Sequence, residues 1–167
     1  MKIEIPLAFS FIMPDELYFL KKDKTQAAEH EALPPAVGIP PENFKFMGGN
    51  KKNFLVIVHY PESEFIEDNH FKALESILKR LGFSMDDVAI VNKAKYSSVT
   101  IERLTGFFKP ERLLMLGRSA LPAGAGPLTL NKTQQLNNCN TLLSFSFDEM
   151  MDNNENKKVF WEQMKQL

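Results

Sequence analysis

The sequence has one cysteine, three histidines and no excess of charge of either sign. A single thiol cannot form an intramolecular disulfide, and Cys139 has no second cysteine nearby with which to build a zinc or iron–sulfur site. We therefore expect a protein of the reducing cytoplasm. With 20 basic and 21 acidic side chains the formal net charge is -1, which excludes a global positive charge that would drive nonspecific nucleic-acid binding.

Long hydrophobic runs are also missing. Glu4, Pro6, Pro14 and Asp15 interrupt the apolar N-terminus, whereas a membrane-spanning helix needs about 20 apolar residues. A secretory signal peptide is disfavoured as well, because Glu4 lies where such a peptide carries positive charge. We expect no membrane association and, from the length of 167 residues, one globular domain.

Two segments of different composition divide the chain. Residues 1–50 contain a polar stretch and, between Leu33 and Pro41, four prolines. Proline fixes φ and lacks a backbone donor, so this part favours an extended connector. Residues 51–167 carry the regular hydrophobic patterns of a compact domain. The sequence thus predicts an N-terminal arm with a Pro-rich linker (1–50), followed by one folded domain (51–167).

The folded part alternates two hydrophobic patterns. Continuous apolar runs indicate strands buried on both faces, and i, i+3, i+4 spacing indicates amphipathic helices. Strands are predicted at Phe54–Val58, Val88–Val91, Arg112–Leu116 and Leu142–Phe147. Helices are predicted from Asn69 to a stop at Gly82, from Val99 to Phe108, and in the C-terminal tail. This order predicts a three-layer α/β/α fold with a four-stranded, mostly parallel sheet.

Ligands of such sheets bind beyond the carboxyl ends of the strands. The candidate pocket residues at these ends are His59, Tyr60, Pro61, Asn92, Arg118 and Ser146. His59 could act as a base or contact DNA, although a histidine at the edge of a packed strand is more often structural. Arg118 could bind a phosphate together with the backbone of its turn, or be a solvated side chain beside that turn.

Other motifs give little support for catalysis. The run Ala123–Pro127 is rich in glycine but lacks the Lys-Ser/Thr ending of a phosphate-binding loop. The acidic residues between Glu62 and Asp68 could polarise a water, but they fit a solvated helix start better, because anions stabilise a helix N-terminus. No serine has the Gly-x-Ser-x-Gly setting of a hydrolase. We expect no metal and no cofactor.

Apolar surface is concentrated in the arm. Leu17, Tyr18 and Phe19 lie in its most apolar part, and a short arm has limited means to bury them alone. They must pack either on the folded domain or on a partner. Both outcomes remain open at this point.

Several runs of residues give a resemblance to a known family. They are Phe54 to Pro61, Ile77 to Asn92, Phe108 to Ala120 and Met150 to Met164. Over about residues 54 to 167 the chain resembles the uracil-DNA glycosylase superfamily, in particular its bacterial iron–sulfur branch. The resemblance implies a glycosylase-like fold and, at Asn92, the asparagine that reads the edge of uracil.

The catalytic motifs of that superfamily do not match. Its first motif is Gly-Glu-Ala-Pro-Gly with a water-activating acid, whereas residues 58–62 read Val-His-Tyr-Pro-Glu. Its second is His-Pro-Ser, whereas residues 146–148 read Ser-Phe-Asp, and the four cluster cysteines are absent. The chain is more similar to a non-catalytic family with this fold, the psi subunits of bacterial DNA polymerase III.

The psi resemblance implies a non-enzymatic adaptor whose arm, through Leu17, Tyr18 and Phe19, binds subunits of the clamp loader. A chi-like subunit or a single-strand-binding protein would be a further partner, and direct DNA binding stays open. The alternative is a diverged glycosylase-like enzyme or nucleic-acid-binding protein that uses the pocket around Asn92. A third interpretation is a domain of this superfamily with some other protein partner.

Overall fold

A computed structural model describes residues 43–167. Its compact unit begins at Phe44, so residues 44–50, which their composition assigns to the arm, pack as part of the folded domain. Phe44 is 5% exposed, and Met47 exchanges two backbone hydrogen bonds with Ile90, at 2.9 and 2.8 Å. The predicted partner-binding residues Leu17, Tyr18 and Phe19 lie outside the described residues.

In the part of the chain that the structure describes, five strands form one sheet. They are β1 (Phe54–Val58), β2 (Val88–Asn92), β3 (Arg112–Leu116), β4 (Lys132–Leu136) and β5 (Cys139–Ser144). Their order is β2-β1-β3-β5-β4, with β4 antiparallel to β5 and all other neighbours parallel. The prediction of an α/β fold with a mostly parallel sheet is confirmed, and the prediction of four strands is wrong.

The strand that the sequence patterns missed is β4. Its sequence, Lys-Thr-Gln-Gln-Leu, has a single apolar residue at its end, and its side chains are half-buried or exposed at the edge of the sheet. Asn137 and Asn138 join it to β5 with φ of 51° and 63°, as in a two-residue hairpin turn with left-handed backbone. The predicted strand Leu142–Phe147 is also displaced: the hairpin makes β5 begin at Cys139 and end at Ser144.

Within residues 43–167, four α-helices accompany the sheet. They are α1 (Asp68–Arg80), α2 (Ile101–Phe108), α3 (Phe147–Met151) and α4 (Asn154–Met164). The predicted stop at Gly82 is confirmed. Its φ is 80°, and backbone bonds from Phe83 to Leu78 (2.9 Å) and from Gly82 to Lys79 (3.1 Å) close α1 in a Schellman motif. The tail forms two helices because the Asn153 side chain caps a new one at α4.

Apolar side chains cover both faces of the sheet. All five residues of β1 are at most 1% exposed. On one face Phe54, Val56 and Val58 pack with α1, α3 and α4. On the other, Leu55 and Ile57 pack with α2 and with apolar side chains of the loop after β3. Among residues 43–167, no helix has the length and hydropathy needed to cross a membrane.

The approach of residues 47–52 to β2 gives a testable prediction. Gly48 has φ of 106°, and a Cβ atom there would collide with the backbone carbonyl oxygen of Val88. We expect Gly48→Ala to lower the free energy of unfolding by about 1 kcal/mol or more, because both the backbone conformation and the space oppose a side chain. Urea denaturation measures this change.

Gly106→Ala is the matched control. Gly106 lies within α2, and a Cβ atom there would meet nothing within 4 Å. Alanine is the better helix former, so this variant should equal the wild type or gain about 0.5–1 kcal/mol. If Gly48→Ala were as stable as Gly106→Ala, residues 47–52 would not be part of the folded unit.

Candidate functional site

The carboxyl ends of the parallel strands meet at one edge of the sheet. The chain passes from β1 outward to β2 and then returns past β1 to β3. The direction of winding therefore reverses between β1 and β3, which is where open α/β sheets form a ligand crevice. His59 and Tyr60 follow β1 at this position, and Gly117 and Arg118 follow β3. The predicted site residues thus come from neighbouring strand ends.

Asn92, at the end of β2, is 1% exposed. Its Oδ1 accepts hydrogen bonds from the backbone N–H of Tyr60 (2.9 Å) and of Ala94 (3.1 Å). Its Nδ2 donates to the carbonyl oxygens of Tyr60 (2.7 Å) and Ser63 (2.8 Å), with that of Glu64 at 3.3 Å. A side-chain amide has two donor and two acceptor positions, so all four are satisfied within the chain. Asn92 therefore braces the loop that follows β1.

His59 is the first residue after β1 and is half-buried. Its Nδ1 is buried and has no hydrogen-bond partner among residues 43–167. A histidine that acts as a general base is oriented by a partner on its second ring nitrogen. The structure places His59 at the strand end, as predicted, without a group on Nδ1 that would orient the ring.

Tyr60 points to a second histidine, His70 of α1. The Tyr60 hydroxyl lies 2.8 Å from His70 Nδ1, and the imidazole stacks on Phe147 of α3 with ring centroids 5.3 Å apart. Two carboxylates approach the ring, Asp148 at 3.7 Å from Nε2 and Glu67 at 3.9 Å from Nδ1. This cluster joins α1, α3 and the loop after β1.

Burial raises the pKa of the Tyr60 hydroxyl above its ordinary value, and the charges of Asp148 and Glu67 raise this pKa further. The phenolate is disfavoured because it would be poorly solvated and would face two carboxylates. Tyr60 therefore stays neutral well into the alkaline range and serves as a hydrogen-bonding partner of His70.

His70 is a site residue that the sequence reasoning missed. It is 6% exposed and precedes Leu74 and Leu78 at intervals of four residues on the buried face of α1. The 3.6-residue period of a helix would have placed it in the core. His59 was predicted instead because it lies at the carboxyl end of a strand, whereas His70 lies within a helix.

Ser146 and Arg118 have different surroundings. Ser146 Oγ accepts from the backbone N–H of Glu149 (3.3 Å), and the Glu149 carboxylate accepts from the N–H of Ser146 (2.8 Å). This reciprocal pair is a capping box for α3. Arg118 is exposed in a single 3-10 turn after Gly117, whose φ is 90°.

Two lysines connect the loops at this edge. Lys95 Nζ donates to the carbonyl oxygen of Pro61 at 3.0 Å, and Lys93 Nζ donates to that of Ser119 at 3.1 Å. Within residues 43–167, no group of three or more His, Cys, Asp or Glu side chains is placed to bind a metal ion. The polar groups that the structure brings together here stabilise loops.

No protein-family model matches the chain, and no curated protein matches it.

The role of Asn92 can be tested by truncation. In Asn92→Ala the backbone groups of Tyr60, Ser63 and Ala94 lose their partners, and each buried polar group left unpaired costs about 1–3 kcal/mol. We expect the free energy of unfolding to fall by at least that amount. Urea denaturation gives the loss, and amide hydrogen exchange at Tyr60 and Ala94 should accelerate.

Asn69→Ala serves as the control for Asn92→Ala. Asn69 is exposed in the first turn of α1, and alanine is a good helix former, so its stability should be unchanged or slightly raised. Equal stability of the two variants would mean that the Asn92 amide does not brace the loop.

The Tyr60 environment predicts a loss of stability at high pH. Above about pH 10 an unfolded tyrosine releases its proton, while folded Tyr60 retains it. The unfolded state then binds fewer protons, so the free energy of unfolding falls by up to about 1.4 kcal/mol per pH unit. Tyr60→Phe should lack this contribution, as measured by urea denaturation between pH 9 and 11.

Tyr96→Phe is the matched variant, and its free energy of unfolding should still fall at high pH as that of the wild type does. Burial also raises the pKa of Cys139, to about 11, but this thiol is present in every variant, so its contribution cancels in the comparison. Parallel stability curves for the wild type and Tyr60→Phe would contradict the assignment.

Proposed function

We propose that the chain is a non-enzymatic adaptor of the replicative DNA polymerase III holoenzyme, similar to the psi subunit. In this proposal its arm binds the clamp loader. The observation that carries the proposal is the state of Asn92, the one recognition residue that the sequence shares with the glycosylases. All four of its polar positions are occupied by the chain itself, which leaves none to read a base.

The architecture supports the finer fold assignment, a three-layer α/β/α domain of the glycosylase-like type. Four parallel strands, β2, β1, β3 and β5, form its central layer. Helices α1, α3 and α4 pack on one face and α2 on the other. The antiparallel strand β4 is then an addition at the edge.

The residues at the family's catalytic positions support a structural role. A glycosylase must extrude a base, activate water and stabilise the departing base with preoriented groups. Here Tyr60 is kept neutral by its surroundings, His59 lacks a partner on Nδ1 within the described residues, and Ser146 caps α3. In this proposal Tyr60 and Ser146 stabilise the scaffold, and His59 lacks the orienting group that a general base needs.

In the proposed role the folded domain is the scaffold and the arm is the anchor. Leu17, Tyr18 and Phe19 supply the apolar side chains that enter the clamp loader. Buried aromatic anchors in an interface commonly contribute about 2 kcal/mol or more each. The adaptor would act in the cytoplasm, with a chi-like subunit or a single-strand-binding protein as a further partner.

Co-elution with the purified clamp loader of the same organism tests the proposal. We expect the full chain to co-elute stoichiometrically at micromolar concentration. Tyr18→Ala combined with Phe19→Ala should abolish the complex, because two anchors at about 2 kcal/mol each amount to a loss of roughly a thousandfold in affinity. Size-exclusion chromatography with light scattering provides the stoichiometry.

Gln26→Ala combined with His30→Ala controls for disturbance of the arm, since it removes two polar side chains of the same segment and should leave capture intact. An absence of complex with the wild-type chain would refute the adaptor role. Release of uracil from an oligonucleotide by the wild-type chain would favour the glycosylase alternative instead.

A further inference from the structure

A groove of about 410 Å³ opens between α1 and the C-terminal helices α3 and α4. Its α1 wall consists of residues at positions i, i+3, i+4 and i+7: Ala73, Ser76, Ile77 and Arg80. Residues at this spacing form one stripe of a helix, and the stripe lies beside the one that His70 and Leu74 bury. Helix α1 thus packs one face against the sheet and lines the groove with the adjacent face.

The interior of the groove is apolar. Phe147 and Phe160 are 3% and 2% exposed and line it from the core side, together with Trp161. Met151, also in the lining, is 45% exposed. Methionine is flexible and polarisable and adapts to the shapes of partners. The volume lies within the range of about 300–1,000 Å³ that is usual for ligand clefts.

The charged side chains that line the groove are all basic. The charged side chains that line it are Arg80, Lys157 and Lys158, and there is no carboxylate among its lining residues. Lys157 Nζ donates to the carbonyl oxygen of Met151 at 3.2 Å. Among the ion pairs of residues 43–167, none involves Arg80 or Lys158. Apolar surface flanked by cations without a carboxylate partner in the described part of the chain is complementary to a segment that carries both apolar side chains and carboxylates.

We propose that this groove binds an acidic amphipathic peptide segment of a protein partner. Its apolar side chains would enter between α1 and α4, as a helix does when it lies in a hydrophobic groove. Its carboxylates would pair with Arg80, Lys157 and Lys158. The charge complementarity supports an acidic partner, and the opening between helices supports a peptide. The site consists of described residues only and does not depend on clamp-loader binding by the arm.

The chain contains one tryptophan, Trp161, and it lines the groove, so its fluorescence reports occupancy directly. The probe is the synthetic peptide Glu-Leu-Leu-Asp-Asp-Phe-Leu-Glu-Glu-Leu, capped at both ends and free of tryptophan. Titrated into the full chain, it should change the Trp161 emission saturably. The affinity should fall as sodium chloride is raised, because salt screens the ion pairs at the rim.

Charge reversal locates the binding. Arg80→Glu combined with Lys158→Glu should weaken binding by at least about tenfold, because like charges then face each other across the interface. Lys72→Glu combined with Lys132→Glu changes the net charge equally at two exposed positions outside the groove lining and should leave the affinity within about twofold. Circular dichroism melting of both double variants confirms that they fold.

Four results would overturn the proposal. The first is the absence of a saturable change in Trp161 emission. The second is equal binding by the groove variant and the control variant. The third is equal binding of a peptide in which lysine replaces every acidic residue. The fourth is a change that oligothymidylate causes and the acidic peptide does not, which would assign the cations to nucleic acid. None of these results bears on clamp-loader capture, so the two proposals fail independently.

Discussion

Neither face of strand β1 is exposed to solvent. Its five residues, Phe54–Val58, are apolar and at most 1% exposed, so the sheet needs helices on both sides. The chain must then cross over the sheet repeatedly, and the loops after the parallel strands converge at one edge. The loop that follows β1 has backbone N–H and C=O groups that need hydrogen-bond partners. The side-chain amide of Asn92 is the partner of three of them, the N–H and C=O of Tyr60 and the C=O of Ser63.

The sequence predicts those elements of the fold whose own residues carry a hydrophobic pattern or a turn residue that defines them. The apolar run of β1, the helical period of α1 and the glycine at position 82 each suffice without knowledge of the rest. Strand β4 could not be found in this way, because an edge strand paired on one side needs little apolar pattern. Its signal was the turn: Asn137 and Asn138 both adopt the left-handed backbone that asparagine tolerates.

The positions of the predicted site residues in the fold followed from the sequence more readily than their contacts did. Strand ends placed His59, Tyr60 and Asn92 at a common edge, since parallel strands share their direction. Asn92, however, bonds to groups 28 to 32 residues away, and those partners depend on the path of a loop. The cluster at His70 and the groove beside Trp161 likewise combine helices that are distant along the chain, so only the folded structure reveals them.

Both outer edges of the sheet discourage the addition of another strand. At β2 the edge is occupied at Ile90 by the backbone of Met47. At the other edge the N–H of Thr133 in β4 donates to Gln163 Oε1 at 3.0 Å, beside the exposed Lys132. An open sheet edge can pair with an extended segment of almost any sequence, because the main-chain hydrogen bonds do not depend on side chains. With few free main-chain groups at either edge, an extended segment of another molecule finds little to pair with there, and contact with such a segment falls to the side chains of the helices and loops.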